Sequence, residues 1–240
     1  TNSYMMEKPG PPPSDIYVAV TTNQTAGRGR RGRRWLSPPG SGLCLSIAYT
    51  FPNPADGIAS LTLAVGLGAI KSLQDVGVRG VSVKWPNDLI ADNGKLGGIL
   101  TEARTHADGS VTVVTGLGLN LDLGEELDLG DPAPRALPAM DLCRYAASMP
   151  TPNALSSSLL NRINSVMIDF EGSGFALFAH EWAKYDWLRD RELVIDTVSQ
   201  KVSGIGAGIA PDGALLLNTG GTEMQRITSG TVVTAGDMTT

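Results

Sequence analysis

The first half of the chain carries the spacing of apolar residues that is typical of β-strands. In Leu43–Phe51 every second residue is apolar, which predicts a strand with one buried face. Short segments rich in β-forming residues predict four further strands, at Ile16–Val20, Val81–Trp85, Leu96–Ala103 and Val111–Leu121. Between them, Ser60–Val76 is apolar on nearly every side, which predicts a buried helix that ends at Gly77.

The second half of the chain changes from helical to β-type spacing. Gly124–Pro138 is rich in Asp and Pro and predicts a mobile loop. Thr151 and Pro152 form a typical helix start, and Phe175–Tyr185 predicts another helix. Five short strand segments follow, which suggest a small barrel: Leu193–Val198, Val202–Ala210, Ala214–Thr219, Met224–Ile227 and Thr231–Val233. We therefore expect an α+β fold.

Composition narrows the possible functions. The chain has 240 residues, of which 42% are hydrophobic and 18% charged, so we expect a sizeable core and no general disorder. Its net charge of −5 argues against a protein that coats nucleic acid. There is no signal peptide and no apolar run of the ~18–20 residues that span a bilayer. We expect a cytoplasmic protein that is not bound to a membrane.

Cysteines and histidines are too few and too scattered for several kinds of chemistry. Cys44 and Cys143 belong to no Cys/His cluster, so we predict no metal site on the protein and expect both to be buried. The only histidines are His106 and His180, which gives little support to a Ser/His/Asp or Cys/His unit.

The most informative motif is QTAGRGRRGRRW, at Gln24–Trp35, which places five arginines within seven residues. Its glycines allow backbone N–H groups to approach an anion, and arginine forks match phosphate and carboxylate oxygens. Taken alone, the segment indicates polyanion binding. A solvated run of charges and an RNA-binding Arg/Gly segment are alternative interpretations.

Two more motifs follow. The first combines KWPND at Lys84–Asp88 with KLGGIL at Lys95–Leu100, where Gly97 and Gly98 leave room for a ligand against the backbone. An ordinary strand–turn–strand with a turn at Asn93–Gly94 explains part of this pattern, but not the lysine before paired glycines. The second motif, GLGLN at Gly116–Asn120, is weak as a dinucleotide site and reasonable as a floor beneath a flat ligand.

These motifs, in this order, resemble the biotin protein ligase family, and the C-terminal stretch Gly204–Leu217 extends the likeness. The resemblance implies a mixed β-sheet catalytic domain related to class II aminoacyl-tRNA synthetases, followed by an SH3-like barrel. We place the two domains at 1–188 and 189–240. The resemblance also implies that biotin and Mg·ATP react to form biotinyl-5'-AMP, and that biotin is then transferred to a lysine of a biotin carboxyl carrier protein.

The resemblance implies a role for each motif residue. Lys95 and Arg30 are expected to be catalytic. The expected biotin-binding residues are Thr1, Asn2, Gln24, Arg28, Gly29, Arg30, Lys95 and Gly98. The expected ATP-binding residues are Arg31, Arg33, Trp35, Asn87 and Asn120. We expect Mg²⁺ to be held largely by ATP oxygens and water.

Several alternatives stay open at this point. Some members of the family also repress transcription through an N-terminal helix-turn-helix, so a biotin-binding regulator is one alternative. A biotin-binding protein without turnover is another, because the chain begins at the threonine of the family's Ser-Thr-Asn motif. We expect that residues precede Thr1, and edge strands of the sheet could pair two subunits as a homodimer.

Overall fold

The computed structural model describes residues 1–54, 57–124, 137–146, 148–197 and 200–234. Most of the predicted Gly124–Pro138 loop lies outside these residues. The N-terminal part contains α1 (Asn2–Met6), β1 (Ile16–Thr21), β2 (Gly42–Phe51), α2 (Leu61–Asp75), β3 (Val81–Lys84), β4 (Asp88–Ala91), β5 (Gly94–Thr105) and β6 (Val111–Asn120). After these come α3 (Pro152–Ser173), α4 (Ala176–Trp182), β7 (Glu192–Asp196), β8 (Lys201–Ile209), β9 (Leu215–Asn218), β10 (Gln225–Ile227) and β11 (Thr231–Thr234).

Six strands form the large sheet, in the order β1-β2-β6-β5-β4-β3. Every pairing between these strands is antiparallel. Among the described residues, parallel pairing occurs only as two isolated bridges, Val83 with Asp186 and Lys95 with Ala139. The predicted α+β class is confirmed, and the mixed character of the sheet is limited to these bridges.

At β2 both faces of the large sheet are covered, which corrects one expectation. Helices α2 and α3 pack on one face, where Phe51 and Phe170 meet edge to face. Helix α1 packs on the other face through Met5, which contacts Ala48 and Val114. All ten residues of β2 are therefore buried, whereas the alternating pattern predicted one buried face.

The structure contains one strand that the sequence patterns did not predict. Strand β4 lies between β3 and β5 and is joined to them by two tight turns. The turn before it contains the cis Trp85–Pro86 bond, and the turn after it contains Asn93. Because β4 reverses the chain, it pairs Asp88 with Gly98 of β5.

The C-terminal segment forms a second sheet of five strands, in the order β10-β9-β8-β7-β11. All five predicted strands are present, and every pairing is antiparallel. The SH3-like form and the domain boundary at 188/189 stay predictions. One expectation about the core was wrong, because Cys143 is exposed while Cys44 is buried. No helix among the described residues has the length and apolar character needed to cross a bilayer.

Candidate active site

One cavity gathers the motifs that lie far apart in the sequence. The arginine-rich loop between β1 and β2 covers it, the β3–β4 turn forms one wall, and β5 and β6 form its floor. All but one of the residues predicted for the site line this cavity: Thr1, Asn2, Gln24, Arg28, Gly29, Arg30, Arg31, Arg33, Trp35, Asn87, Lys95 and Gly98. The exception is Asn120.

The arginine-rich loop is folded back on itself as a hairpin. The amide of Trp35 donates to the carbonyl of Gly27 at 3.0 Å, and the amide of Gly29 donates to the carbonyl of Arg33 at 2.7 Å. A side chain at Gly27 would overlap the carbonyl oxygen of Trp35, so this position requires glycine. The loop therefore has a defined shape, unlike a solvated charge run.

Lys95 lies on the floor of the cavity with a carboxylate partner. Its Nζ is 2.6 Å from Asp88 Oδ1 and lies over the Trp35 ring, 5.6 Å from the ring centroid. Gly98 lies directly beneath both groups, because a Cβ there would be in van der Waals contact with Lys95 Nζ at 3.4 Å and with the ring at 3.5 Å. Asp88 also lines the cavity and was not among the predicted site residues.

Arg30 reaches from the loop to the β3–β4 turn. Its Nη1 donates to Asn87 Oδ1 at 3.3 Å, and Asn87 Nδ2 donates to the carbonyl of Ile99 at 2.8 Å. Burial lowers the pKa of the Arg30 guanidinium, Arg31 lowers it further, and Asp88 opposes this effect. The guanidinium is still charged at neutral pH, so a partly desolvated cation faces the cavity.

At the other end of the cavity, neutral polar side chains surround Thr1. The Ser46 hydroxyl oxygen lies 2.6 Å from both Thr1 Oγ1 and Asn2 Oδ1, and Gln24 Nε2 donates to Thr1 Oγ1 at 3.4 Å. Gly116 is needed here, because a Cβ would overlap Asn2 Oδ1. Ser46 was missed in the sequence, since only the folded sheet brings it beside Thr1 and Asn2.

Asn120 contacts the main chain behind the floor of the cavity. Its side chain lies outside the cavity, and Nδ2 donates to the carbonyls of Lys95 at 3.2 Å and Met140 at 2.9 Å. Both contacts are with the main chain around the start of β5. Asn120 therefore supports the strand that carries Lys95, and its predicted contact with ATP has no support from the geometry.

The second sheet also reaches the cavity. Gly230, Thr231 and Val232, at the start of β11, line it, and Arg31 Nη1 donates to Thr231 Oγ1 at 2.9 Å. A buried cation, Lys84, lines the same cavity and lies 5.3 Å from the centroid of the Trp187 ring. Sequence patterns gave no signal for a contribution from the C-terminal strands.

Comparison with known proteins identifies the family. The model of the "Biotin/lipoate A/B protein ligase family" matches residues 9–120. The model of the "Biotin protein ligase C terminal domain" matches residues 194–234. A biotin--[acetyl-CoA-carboxylase] ligase of Mycobacterium tuberculosis is 32% identical over 229 residues, which cover 93% of this chain and 79% of that protein. The chain belongs to the biotin protein ligase family.

Two further relatives agree with this assignment. The bifunctional ligase/repressor BirA of Salmonella typhimurium is 32% identical over 92% of this chain and 67% of its own length. The solved structure of the Aquifex aeolicus biotin protein ligase, a complex with biotin and ATP, has a TM-score of 0.77. It covers 98% of this chain and 94% of its own, and at 24% identity it supports the fold alone. The resemblance seen in the motifs and the assignment as a ligase are thus confirmed.

Proposed function

We propose that this biotin protein ligase activates biotin with ATP as biotinyl-5'-AMP and transfers the biotinyl group to a lysine of a biotin carrier protein, such as that of acetyl-CoA carboxylase. The observation that carries the proposal is the meeting of Lys95, Arg30 and the arginine-rich loop over one cavity. The chain as a whole is acidic, so this concentration of cations is local. It suits a site where a carboxylate and a triphosphate must lie side by side.

In the first half-reaction, a carboxylate oxygen of biotin attacks the α-phosphorus of ATP. The new O–P bond forms as the bond to the bridging oxygen of pyrophosphate breaks. Because both reactants are anions, the main barrier is their repulsion and alignment, and a base is not needed. Lys95 and Arg30 are placed to neutralise the reacting carboxylate and the charge that grows on the phosphate.

The Asp88–Lys95 ion pair suggests how the site prepares for substrate. Asp88 keeps the ammonium of Lys95 at the floor of the cavity, 2.6 Å away. A biotin carboxylate that arrives there offers the same kind of partner, so Lys95 can bind it with little rearrangement. In this proposal Lys95 is therefore the central residue of the reaction.

The remaining cavity residues divide into two groups in the proposal. Thr1, Asn2, Gln24, Arg28, Gly29 and Gly98 form the biotin half. Arg31 and Arg33 bind the phosphates, Asn87 lies beside them, and Trp35 packs near the adenine. Arg31 and Arg33 are both exposed, so their guanidinium groups are accessible to the phosphates, although Arg31 also donates to Thr231.

Mg²⁺ fits this site as a companion of ATP. Of the described residues that line the cavity, Asp88 is the one carboxylate, so the ion would take most of its oxygen ligands from phosphates and water. Its chemical contribution would be to neutralise phosphate charge. A compartment that supplies ATP, such as the cytoplasm, suits the reaction.

In the second half-reaction, the lysine amine of the carrier attacks the carbonyl carbon of the adenylate. An amide forms, the bond from the acyl carbon to the phosphate oxygen breaks, and AMP and a proton leave. The carrier protein is the expected macromolecular partner. A homodimer stays a prediction, and light scattering of the purified protein tests it.

The test is pyrophosphate release after the protein is mixed with biotin and Mg·ATP without a carrier, followed by addition of a carrier domain. We expect release that depends on biotin, then covalent biotin on the carrier as detected by mass spectrometry. Lipoate is the matched alternative substrate, because the matched family description covers both acids. Release with lipoate and not with biotin would contradict the proposal, and saturable biotin binding without release would favour a binding protein.

A further inference from the structure

Glu102 is a charged residue of β5 that contacts two residues of the cavity wall, Arg28 and Asn2. It does not line the cavity, and its side chain is 25% exposed. Arg28 Nη2 lies 2.9 Å from each of its two carboxylate oxygens. Arg28 belongs to the arginine-rich loop, so this ion pair joins the loop to the sheet over a separation of 74 residues.

The same carboxylate also binds the N-terminal segment. Asn2 Nδ2 donates to Glu102 Oε2 at 3.0 Å and to the carbonyl of Leu100 at 2.9 Å. Arg28 contacts this segment directly as well, since its Nε donates to Ser3 Oγ at 3.1 Å. Asn2 is buried, and its oxygen is fixed by Ser46. Glu102 is thus the point at which the loop and the N-terminal segment meet.

We infer that Glu102 is a positioning residue for the biotin half of the site, acting through Arg28 and Asn2. The inference rests on the proposed function, because both of these residues are assigned there to biotin. Among the described residues, the side-chain contacts left between the loop and the N-terminal segment without the carboxylate would be Arg28–Ser3 and Gln24–Thr1. Arg28 and Asn2 would then be held less firmly against biotin, while the residues at the phosphate end would keep their own contacts.

The simpler interpretation is an ordinary surface ion pair. Such pairs contribute about 0–1 kcal/mol and can be removed without effect on a nearby site. Glu102 differs because one of its partners, Asn2, is buried in the cavity wall. Without Glu102, the buried Asn2 amide keeps the Leu100 carbonyl but loses its second acceptor, and an unpaired buried N–H is costly, so the cavity wall should change.

The experiment compares Glu102→Gln and Glu102→Ala with the wild type in biotin-dependent pyrophosphate release. Glutamine keeps the shape and one acceptor oxygen, so we expect the KM for biotin to rise about 3-fold, and about 10-fold with alanine. The KM for ATP and kcat at saturating biotin should stay within about 2-fold, since phosphate contacts are not altered. Asp75→Asn is the matched control, because it breaks a remote exposed ion pair with Arg162, and it should change none of these values.

A double-mutant cycle shows whether Glu102 acts through Arg28. In an Arg28→Ala background, the effect of Glu102→Ala on the KM for biotin should fall to about 2–3-fold, because only the Asn2 contact is left to lose. An unchanged 10-fold effect would overturn the role of Arg28. Equal effects on the KM for biotin and the KM for ATP, or a lower kcat alone, would overturn the assignment to the biotin half.

A second readout does not need activity. Trypsin cleaves after arginine, so the rate of cleavage within Arg28–Arg34 reports how firmly the loop is held. We expect faster cleavage in Glu102→Gln than in the wild type or Asp75→Asn, at equal melting temperature. Equal cleavage in all three proteins would overturn the inference, even if the wild type released no pyrophosphate and the proposed function had failed separately.

Discussion

At the scale of single residues, replacement of Lys95 is the most direct test of the proposed mechanism. Lys95→Ala removes the cation that faces the reacting carboxylate, so we expect biotin-dependent pyrophosphate release to fall by at least about 100-fold. Asp88 loses its partner but is partly exposed and can be hydrated, so the melting temperature should change little. The matched control is Lys201→Ala, an exposed strand lysine in the second sheet. Near-normal release by Lys95→Ala would contradict the mechanism.

A substitution at Gly118 tests whether the Trp35 ring contributes to nucleotide binding. A Cβ at Gly118 would lie 2.6–2.8 Å from three ring atoms, so Gly118→Ala must displace the ring. If Trp35 packs near the adenine, the KM for ATP should rise several-fold, by about 3–10-fold, while the KM for biotin changes less. Steady-state kinetics with each substrate varied separately gives the answer.

Gly172→Ala is the control for this substitution. Gly172 lies in α3, and a Cβ there would meet nothing within 4 Å. A displaced Trp35, seen as altered tryptophan fluorescence, with an unchanged KM for ATP would show that the ring does not bind the nucleotide.

The sequence predicted single residues well where the chemistry is local. Twelve of the thirteen predicted site residues line the cavity, because the loop and turn that carry them are short and continuous. Asp88, Ser46 and Glu102 were missed, since each gains its partner only through the pairing of strands. The contact of Asn120 with ATP stays a prediction, and the two main-chain carbonyls that its amide contacts could not be seen in a motif.

At the scale of elements, α3 offers a prediction about stability. Thr151 is the N-cap, and its hydroxyl accepts a hydrogen bond from the amide of Ala154 at 3.2 Å. Thr151→Ala should lower the free energy of unfolding by about 1 kcal/mol, and Thr151→Ser should restore most of it. Urea denaturation of the three proteins measures the difference. A loss of the same size in both variants would mean that the methyl group matters, not the hydroxyl.

Element boundaries were predicted where apolar spacing is long, and less well elsewhere. Helix α2 and strands β5 and β6 lie close to their predicted ranges, because each has ten or more residues. Strand β4 has four residues between two turns, too few for a period to show. In β2 the large apolar residues do alternate, as predicted. The residues between them, such as Ser46 and Ala48, are small and lie on the opposite face of the strand, which is also buried.

At the scale of the whole molecule, the second sheet contacts the site region at two places. Trp85 Nε1 of the β3–β4 turn donates to the carbonyl of Gly213 at 2.9 Å, a separation of 128 residues. Arg31 reaches Thr231 across 200 residues. Contacts of this kind depend on how two sheets pack, so no local pattern could have predicted them. They connect the arginine-rich loop and the β3–β4 turn to the C-terminal segment.

Asp186 lies where the two sheets join and gives a prediction about pH. It pairs with Val83 of β3, and its Oδ1 accepts from the amide of Leu188 just before β7. Oδ2 is buried and has no hydrogen-bond partner among the described residues. Burial raises the pKa of Asp186 to about 6. The hydrogen bond from the Leu188 amide and the charge of Arg189 oppose this rise, and the charge of Asp190 adds a smaller increase.

The sign of the effect follows from proton binding. In the unfolded chain this carboxyl titrates near pH 4, so between about pH 4 and 6 the folded protein binds a proton that the unfolded chain does not. The free energy of unfolding should therefore fall as the pH rises through this window. Asp186→Asn keeps the acceptor for Leu188 and removes the charge. It should flatten the profile and stabilise the protein at pH 7 by up to about 3 kcal/mol, the equivalent of two pKa units.

Urea denaturation between about pH 4.5 and 8 measures the profile, with Asp169→Asn on the exposed face of α3 as the control. If the wild type and Asp186→Asn follow the same profile, the charge of Asp186 is solvated and the junction is open to water. If only Asp186→Asn loses the slope, a desolvated carboxylate lies at the junction at neutral pH. In that case the charged carboxylate lowers the free energy of unfolding at neutral pH, and protonation of Asp186 at lower pH raises it.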